Sequence, residues 1–376
     1  MKPSLLMFSG DRDVASGRMG PFYFTLEGLS KEFEHIDVMT PRVPGAQPRT
    51  VHERVRVHPS PNGRLLHSRW LIHRSDELAA DRPYHLIISH DHGIFSNGIA
   101  AACVSRRLQV PYVSEIHHIP AHPRRAQWWE SAAKVGYRAY VRFAAARART
   151  FRVVNHQQVP QLLRHWGVPP EKILVLPSAH VDREVFRACP GKRPYALGFV
   201  GRLVANKGLD YLLQIFSTVA DGVPDSRFVV IGDGPESALV DRKLMAAGLV
   251  DRVDRIRWVD GPSDLADLYR QMEALVCTSF SEGGPRVCLE AMACGVPVFS
   301  TPVGLMVELI EHGTNGWLLP WDPMTGAAMV EHVHQDEDAL GRAGMAAPAA
   351  TSPFDRTKLL GAYARAYRDF ALESLP

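Results

Sequence analysis

Glu282 and Glu290 are the residues whose spacing first suggests chemistry, in the run Ser279-Phe280-Ser281-Glu282-Gly283-Gly284-Pro285-Arg286-Val287-Cys288-Leu289-Glu290-Ala291-Met292-Ala293-Cys294-Gly295-Val296-Pro297. The apolar stretch 274–277 ahead of it reads as a strand, the glycines as a turn, and Val287, Leu289, Met292 and Ala293 as one side of a helix. A glycoside hydrolase needs two carboxyl groups about 5 to 9.5 Å apart around one bond. At 1.5 Å per helical residue these two are separated by roughly 12 Å along the axis, which instead suits an extended ligand such as a nucleotide sugar. Gly283 and Gly284 let a ligand approach the backbone closely, and the free amides of Gly284, Arg286 and Val287 at the helix start, which Pro285 shapes without offering an N–H of its own, favour an anion such as a phosphate.

A second candidate site lies in Gly201-Arg202-Leu203-Val204-Ala205-Asn206-Lys207-Gly208-Leu209-Asp210, between a strand at 196–201 and a helix running to 216. Two cations at the carboxyl edge of a sheet can clamp a diphosphate and neutralise it as it leaves. His117 stands at the end of another strand, 111–116; such a histidine is structural in most proteins. The loop Ser16-Gly17-Arg18-Met19-Gly20-Pro21 lacks the full Gly-x-Gly-x-x-Gly pattern, so phosphate binding and a flexible turn both stay open. Asp233, in Gly232-Asp233-Gly234-Pro235, has no second aspartate two residues away and reads as a turn residue. The strings Asp11-Arg12-Asp13 and Asp336-Glu337-Asp338 read as solvated surface, and no metal site is expected.

These residues need a scaffold, and the 376-residue length suits two domains. Strands at 4–9, 36–39, 55–57, 85–89, 111–116 and 150–155 alternate with helical patterns, and the rhythm restarts after Pro190, Gly191, Lys192 and Pro194. Such alternation argues for parallel sheets with helices on both faces and ligands at the carboxyl ends of the strands. A net charge of +3 leaves no nucleic-acid footprint. The five cysteines include no Cys-x-x-Cys pair, which fits a reduced cytoplasmic compartment. The apolar run 5–8 is too short for a signal peptide or a membrane span.

Two basic segments stand apart. Residues 59–74 carry Arg64, His67, Arg69, Trp70, His73 and Arg74, which suits an acceptor, a surface partner or a solvated helix face. In 124–149, Lys134, Arg138 and Arg142 form one helical stripe, with Trp128, Trp129, Tyr137, Tyr140 and Phe143 interleaved. The stripe suits an anionic membrane surface with the aromatics in the headgroup layer; the same aromatics could equally pack on the first sheet.

Taken together, Glu-Gly-Gly-Pro followed by Glu-Ala-Met-Ala-x-Gly-x-Pro-Val, Gly-Arg-Leu-x-x-x-Lys-Gly at 201–208, Gly-Asp-Gly-Pro at 232–235 and Pro-x-Val-x-x-x-His at 111–117 resemble the retaining glycosyltransferases of family 4 over most of the chain. The resemblance implies an α/β chain in the GT-B arrangement, two doubly wound Rossmann-like domains facing across a cleft. Residues 1–189 would form the acceptor side, 190–352 the nucleotide-sugar side, and 353–376 a helix crossing back to the first domain. It implies transfer of a sugar, with retention, from a UDP or GDP sugar (UDP favoured) to a hydroxyl on a sugar or lipid-linked acceptor, in glycolipid, lipopolysaccharide or other surface-polysaccharide synthesis, at or near the inner face of a membrane.

In that family's terms Arg202 and Lys207 bind the departing diphosphate and Glu290 the ribose hydroxyls. Glu282 and the amides of Gly283 and Gly284 hold the sugar, and His117 reaches in from the opposite domain. Val259, at the end of the strand expected at 255–259, meets the base through its backbone, and Gly17 and Gly20 line the cleft. The family follows its histidine with Asp or Gly, whereas His118 stands here, which leaves open which imidazole faces the cleft; His117 is favoured. No cofactor is implied. A GT-B phosphorylase, a nucleotide-sugar epimerase and a non-catalytic binding subunit share the fold and remain alternatives.

Overall fold

Short apolar runs closed by glycine or proline turns become strands buried on both faces, as parallel sheets require. The computed structural model describes residues 2–373, apart from the side chain of Glu337. Its first sheet contains β1 (Ser4–Phe8), β2 (His35–Thr40), β3 (Arg49–Val51), β4 (Val55–Pro59), β5 (Leu86–His90), β6 (Tyr112–Ile116), β7 (Thr150–Val153) and β8 (Ile173–Val175), in the order β3-β4-β2-β1-β5-β6-β7-β8. The second contains β9 (Tyr195–Val200), β10 (Phe228–Ile231), β11 (Val253–Ile256), β12 (Met272–Cys277), β13 (Val298–Ser300) and β14 (Gly316–Leu318), in the order β11-β10-β9-β12-β13-β14. The pairings are parallel except at the edge, where β3 runs antiparallel to β4; that three-residue edge strand, largely exposed, carries too little apolar pattern to be read from sequence.

Alternation along β1 shows why helices must cover both faces. Leu5 and Met7 pack with Leu26 and Leu29 of the helix Pro21–Ser30 and with Tyr363 and Tyr367 of the last helix, Arg356–Leu372. Leu6 and Phe8 pack on the other side with Leu71 and Val104. The last helix reaches the first sheet after a return crossing in which Val181 N–H donates to the Phe354 carbonyl and Arg356 N–H to the Val181 carbonyl, each at 2.9 Å. Gly28 lets it dock closely, since a β-carbon there would lie 3.2 Å from that of Leu360. The tail expected at 353–376 is thus described to residue 373, and 374–376 lie outside the described residues.

Several element bounds differ from expectation. The helix expected over 126–150 is Glu130–Ala145, and ahead of it the Ala126 N–H donates to the Glu130 carboxylate at 2.8 Å. The basic stretch 59–74 is not a loop throughout: a helix, His67–Asp81, starts within it and buries Leu71 and Leu78. The strand expected at 255–259 ends at Ile256, so Val259 sits in the loop beyond it. Asp336, expected as solvated surface, is exposed and caps the helix Glu337–Ala350 by accepting from Asp338 and Ala339 N–H; the side chain of Glu337 lies outside the described residues.

The aromatics of 124–149 divide between the two arrangements the sequence left open. Tyr137 and Tyr140 are buried, and Tyr140 stacks on Phe95 at 4.4 Å and donates to Asp91 at 2.5 Å. Phe143 packs against the core, while Trp128 (81 % exposed), Trp129 and Val135 face outward. Among the described residues no helix is long and apolar enough to cross a membrane.

Candidate active site

The two sheets present their carboxyl ends to one another, and the segments that follow them meet. Gln158 bridges the Pro302 carbonyl and the Gly304 N–H at 2.7 Å each, and Glu308 accepts from the His156 and Gln157 N–H groups at 2.7 and 2.8 Å. Gly283 belongs to this contact. A β-carbon there would lie 2.1 Å from the His117 carbonyl oxygen, so the missing side chain admits the backbone of the opposite domain, where the sequence suggested room for a ligand. Gly284, beside it, borders the pocket that remains.

That interdomain pocket, 380 Å³ in volume, takes Asp11, His90 and His117 from the first domain and Gly284 and Arg286 from the second. Asp11 is half-buried and accepts from the Val14 N–H at 2.8 Å, which corrects the reading of Asp11-Arg12-Asp13 as wholly solvated. Of the glycines assigned to the same loop, Gly17 closes the helix Asp13–Ser16 with φ at +83° under the Arg49 side chain, and Gly20 begins the helix Pro21–Ser30. The glycine of this loop that borders the pocket is Gly10.

On the second domain the two motifs meet directly. Lys207 ends a short 3₁₀ turn, and Gly208 follows with φ at +61° and its β-carbon position 2.1 Å from the Thr278 carbonyl, a place only glycine fits. This docking brings the Lys207 ammonium to 2.7 Å from Glu282. Burial works to lower the pKa of Lys207, but the Glu282 carboxylate outweighs it and leaves it raised. Arg202 lies exposed in the same loop.

Arg286 opens the helix Arg286–Ala293 after Pro285, and its Nε is buried without a hydrogen-bond partner. Val287 follows it, half-buried, in the first turn. Near Arg286, the buried His180 also has an unpartnered Nε2, and burial, helped by Arg286 and Arg356, lowers its pKa to about 3. Buried donors rarely go unmatched, so an orphaned guanidinium nitrogen at a helix start fits an anionic ligand. Glu290 is buried one layer deeper and accepts from the Tyr269 hydroxyl at 3.0 Å. Burial pushes its pKa up to about 7 against the opposing pull of Arg286 and Tyr269. Among the described residues no group of three or more His, Cys, Asp or Glu side chains is placed to hold a metal ion.

The comparisons with known proteins bear on this arrangement from both halves of the chain. Residues 194–336 match the family model described as glycosyl transferases group 1, and residues 25–179 match that of the glycosyl transferase 4-like domain. The chain belongs to the group 1 glycosyltransferases. This glycosyltransferase is 28 % identical over 311 residues to a D-inositol 3-phosphate glycosyltransferase of Streptomyces scabiei, spanning 77 % of the present chain and 69 % of that one. An uncharacterized glycosyltransferase of Methanocaldococcus jannaschii is 32 % identical over 139 residues, 37 % of this chain and 35 % of the other. Sucrose-phosphate synthase of Thermosynechococcus elongatus superimposes with a TM-score of 0.81 at 18 % identity, and Anabaena HepE with UDP and glucose with 0.75 at 20 %, each covering 99 % of this chain and 100 % of the neighbour. The two sheets are therefore the paired domains of a GT-B fold.

The first domain of the glycosyltransferase holds a feature that sequence reading missed. Glu115, on β6 and 1 % exposed, accepts from the hydroxyls of Tyr363 (2.7 Å) and Tyr367 through one oxygen. Its other oxygen meets Arg152 of β7 at 3.3 Å, and His90 and His117 at 3.2 Å each. The cleft histidine is thereby tied to the crossing C-terminal helix through one buried carboxylate. His118 is open to solvent, yet the protein around it lowers its pKa, with Glu282 opposing and His117 and His92 reinforcing, so it too lies among the cleft's charged groups.

The titration of Glu290 gives a testable consequence. Its folded pKa of about 7 exceeds the ordinary carboxyl value, so the folded protein keeps a proton the unfolded chain has lost, and stability falls as pH rises from about 4 to 7. Glu290→Gln should flatten that fall, leaving the part due to Asp91, whose pKa burial also raises to about 7. At about pH 8 the ligand-free variant should be more stable by roughly 1 to 3 kcal/mol, taking about 1.4 kcal/mol per pKa unit. Urea denaturation at about pH 5 and pH 8 checks it; a variant no more stable than wild type at the higher pH would contradict the buried acid.

Proposed function

We propose that this glycosyltransferase moves a sugar, with retention at the anomeric carbon, from a nucleoside diphosphate sugar to an acceptor hydroxyl. The observation that carries the reading is the Lys207–Glu282 pair, which joins the loop bearing Arg202 to the turn ahead of the helix that Arg286 opens, where the Arg286 Nε is unpartnered. The acceptor oxygen forms a bond to the anomeric carbon as the bond from that carbon to the phosphate oxygen breaks, and the hydroxyl proton passes to the leaving diphosphate. Arg202, Lys207 and the amides near Val287 stabilise that charge, Glu282 and Gly284 hold the sugar, and Glu290 accepts from the ribose. His117 faces the sugar from the other domain, Gly17 and Gly20 shape the loop above it, and the backbone at Val259 meets the base.

UDP is the favoured donor nucleotide, supported by neighbours such as Anabaena HepE, solved with UDP and glucose, and the pneumococcal O-GlcNAc transferase GtfA, solved with UDP and GlcNAc; GDP is the second candidate. Because Arg202 and Lys207 supply positive charge at the diphosphate, the transfer proceeds without a divalent metal or other cofactor. Incubation with UDP-glucose or GDP-mannose and an acceptor panel in chelator tests this: the expected product is an α-glycoside released with the nucleoside diphosphate. A β-glycoside, or loss of turnover in chelator that magnesium restores, would contradict it.

The same reading places the enzyme in the cytoplasm, peripheral on the membrane, acting in glycolipid or surface-polysaccharide synthesis. The supporting patch is Trp128, Trp129 and Val135 beside the exposed Arg124, Arg125, Arg138 and Arg142. Each cation near an anionic leaflet contributes about 1 kcal/mol, so Arg138→Gln with Arg142→Gln should release the protein from anionic liposomes in co-sedimentation. Equal binding to neutral vesicles, or no change in the double variant, would exclude this face.

A further inference from the structure

A second cavity, 710 Å³ in volume, opens at the carboxyl ends of β1, β2, β4 and β5, large enough for a small metabolite. Its wall is cationic. Arg12 comes from the loop after β1, Arg42 from the loop after β2 and Arg64 from the loop after β4, and no aspartate or glutamate lines it. None of these three guanidinium groups has a carboxylate ion-pair partner among the described residues.

The lining also contains His67, only 7 % exposed, and neither of its ring nitrogens has a hydrogen-bond partner. The Asn97 amide nitrogen donates to the carbonyls of Phe8 and His90 at 3.3 and 3.0 Å. Burial opposes the charged imidazole of His67, while the Asn97 side-chain oxygen, facing it, favours that form. Ser96 and Asn97 belong to the first turn of the helix Ser96–Leu108, whose N-terminus no side chain caps. That end therefore adds partial positive charge to the cavity. Unpaired guanidinium groups beside a buried, unmatched imidazole are suited to an oxyanion, most of all one with several acceptor oxygens and more than one charge.

Gly10 and His92 border both this cavity and the interdomain pocket. The His92 ring occupies the space a side chain on Gly10 would take, 2.0 Å from that β-carbon position, so the two cavities adjoin at His92. We propose that the cavity binds the phosphate of a phosphorylated acceptor, held by Arg12, Arg42, Arg64 and His67, with the acceptor hydroxyl directed past His92 toward the donor. This rests on the assignment of the interdomain pocket to the donor. Leu65 (95 % exposed) and Ile94 (50 %) stand beside the cationic wall, so the phosphomonoester comes from a soluble metabolite or from a lipid headgroup.

Calorimetric titration of the UDP-loaded protein is the test. The probes are inorganic phosphate, glucose 6-phosphate and phosphatidic acid vesicles, with glucose and phosphatidylcholine vesicles as neutral controls. At least one phosphorylated probe should bind about tenfold or more tightly than its neutral control, and Arg42→Ala and Arg64→Ala should each weaken it about tenfold. UDP affinity should stay within about twofold in both variants, since these exposed residues lie outside the donor site; His67→Asn should weaken the same probe. Preference for glucose 6-phosphate or for phosphatidic acid vesicles identifies the source. Equal binding of neutral and phosphorylated probes, insensitivity to all three variants, displacement of UDP by phosphate, or no binding of any probe would overturn the proposal. Failure of the donor assignment reads differently, as a wild-type protein that binds no UDP; the same variants titrated with the probes alone then decide the cavity's role.

Discussion

Lys207→Ala should lower transfer at limiting donor by at least about tenfold while the protein stays folded, because a charge-assisted bond to a phosphate contributes about 1.5 to 3 kcal/mol. The lysine also holds Glu282, which is 20 % exposed and would be left without its cation, so the sugar contact suffers along with the diphosphate contact. Arg202→Ala should show the same loss with no change in stability, since Arg202 is exposed and has no ion-pair partner among the described residues. The double variant should lose less than the product of the single effects, because both cations act on one leaving group. Initial rates across donor concentrations check it, and wild-type turnover by either single variant at limiting donor would remove the clamp from the account.

The largest effect on stability is expected in the first domain. Arg152→Ala should cost about 3 to 5 kcal/mol, because it leaves the Glu115 charge buried without its guanidinium. Arg152 is itself buried and lies over the Tyr363 ring at 5.1 Å. Although burial opposes ionisation of Glu115, Arg152, His90 and His117 hold its pKa well below the ordinary value. That stabilisation is present above the unfolded carboxyl pKa and is lost as the solution is acidified below it. Tyr363→Phe should cost only about 1 kcal/mol, the worth of one hydrogen bond. Urea unfolding at neutral pH distinguishes the two; an Arg152→Ala loss no larger than that of Tyr363→Phe would mean that Glu115 is neutral in the folded protein.

Most strands and the strand-to-helix loop at 201–208 were legible because their signals are local. An apolar run, a glycine turn and a helix start fall within about ten residues, and Gly208 marks a place where two backbones must come close. Glu115 was not legible as a hub: its partners come from β5, β7 and a helix 248 residues downstream, and no spacing rule connects them. The aromatics of 124–149 stayed open between two arrangements for a different reason. Helical periodicity shows that Tyr137 and Tyr140 share a face but not what covers it, and Asp91 and Phe95 cover it here. Gly283 illustrates a third limit, since a glycine that admits a ligand and one that admits the His117 carbonyl of the facing domain read identically in a sequence. Nor could the sequence show that Arg64 and His67 of the basic stretch 59–74 share one cavity with Arg12, Arg42 and His92, because β1, β2 and β5 deliver those residues from distant parts of the chain.

Titrating the protein with UDP, GDP and ADP, with thermal unfolding as readout, tests the donor site most directly. The account predicts that at least one nucleoside diphosphate stabilises the wild-type protein by about 2.7 kcal/mol at 100 times its dissociation constant, with UDP first. It further predicts that Arg202→Ala and Lys207→Ala each weaken that binding by about tenfold or more. A protein that no nucleoside diphosphate stabilises, or one whose affinity is unchanged in both variants, would contradict it.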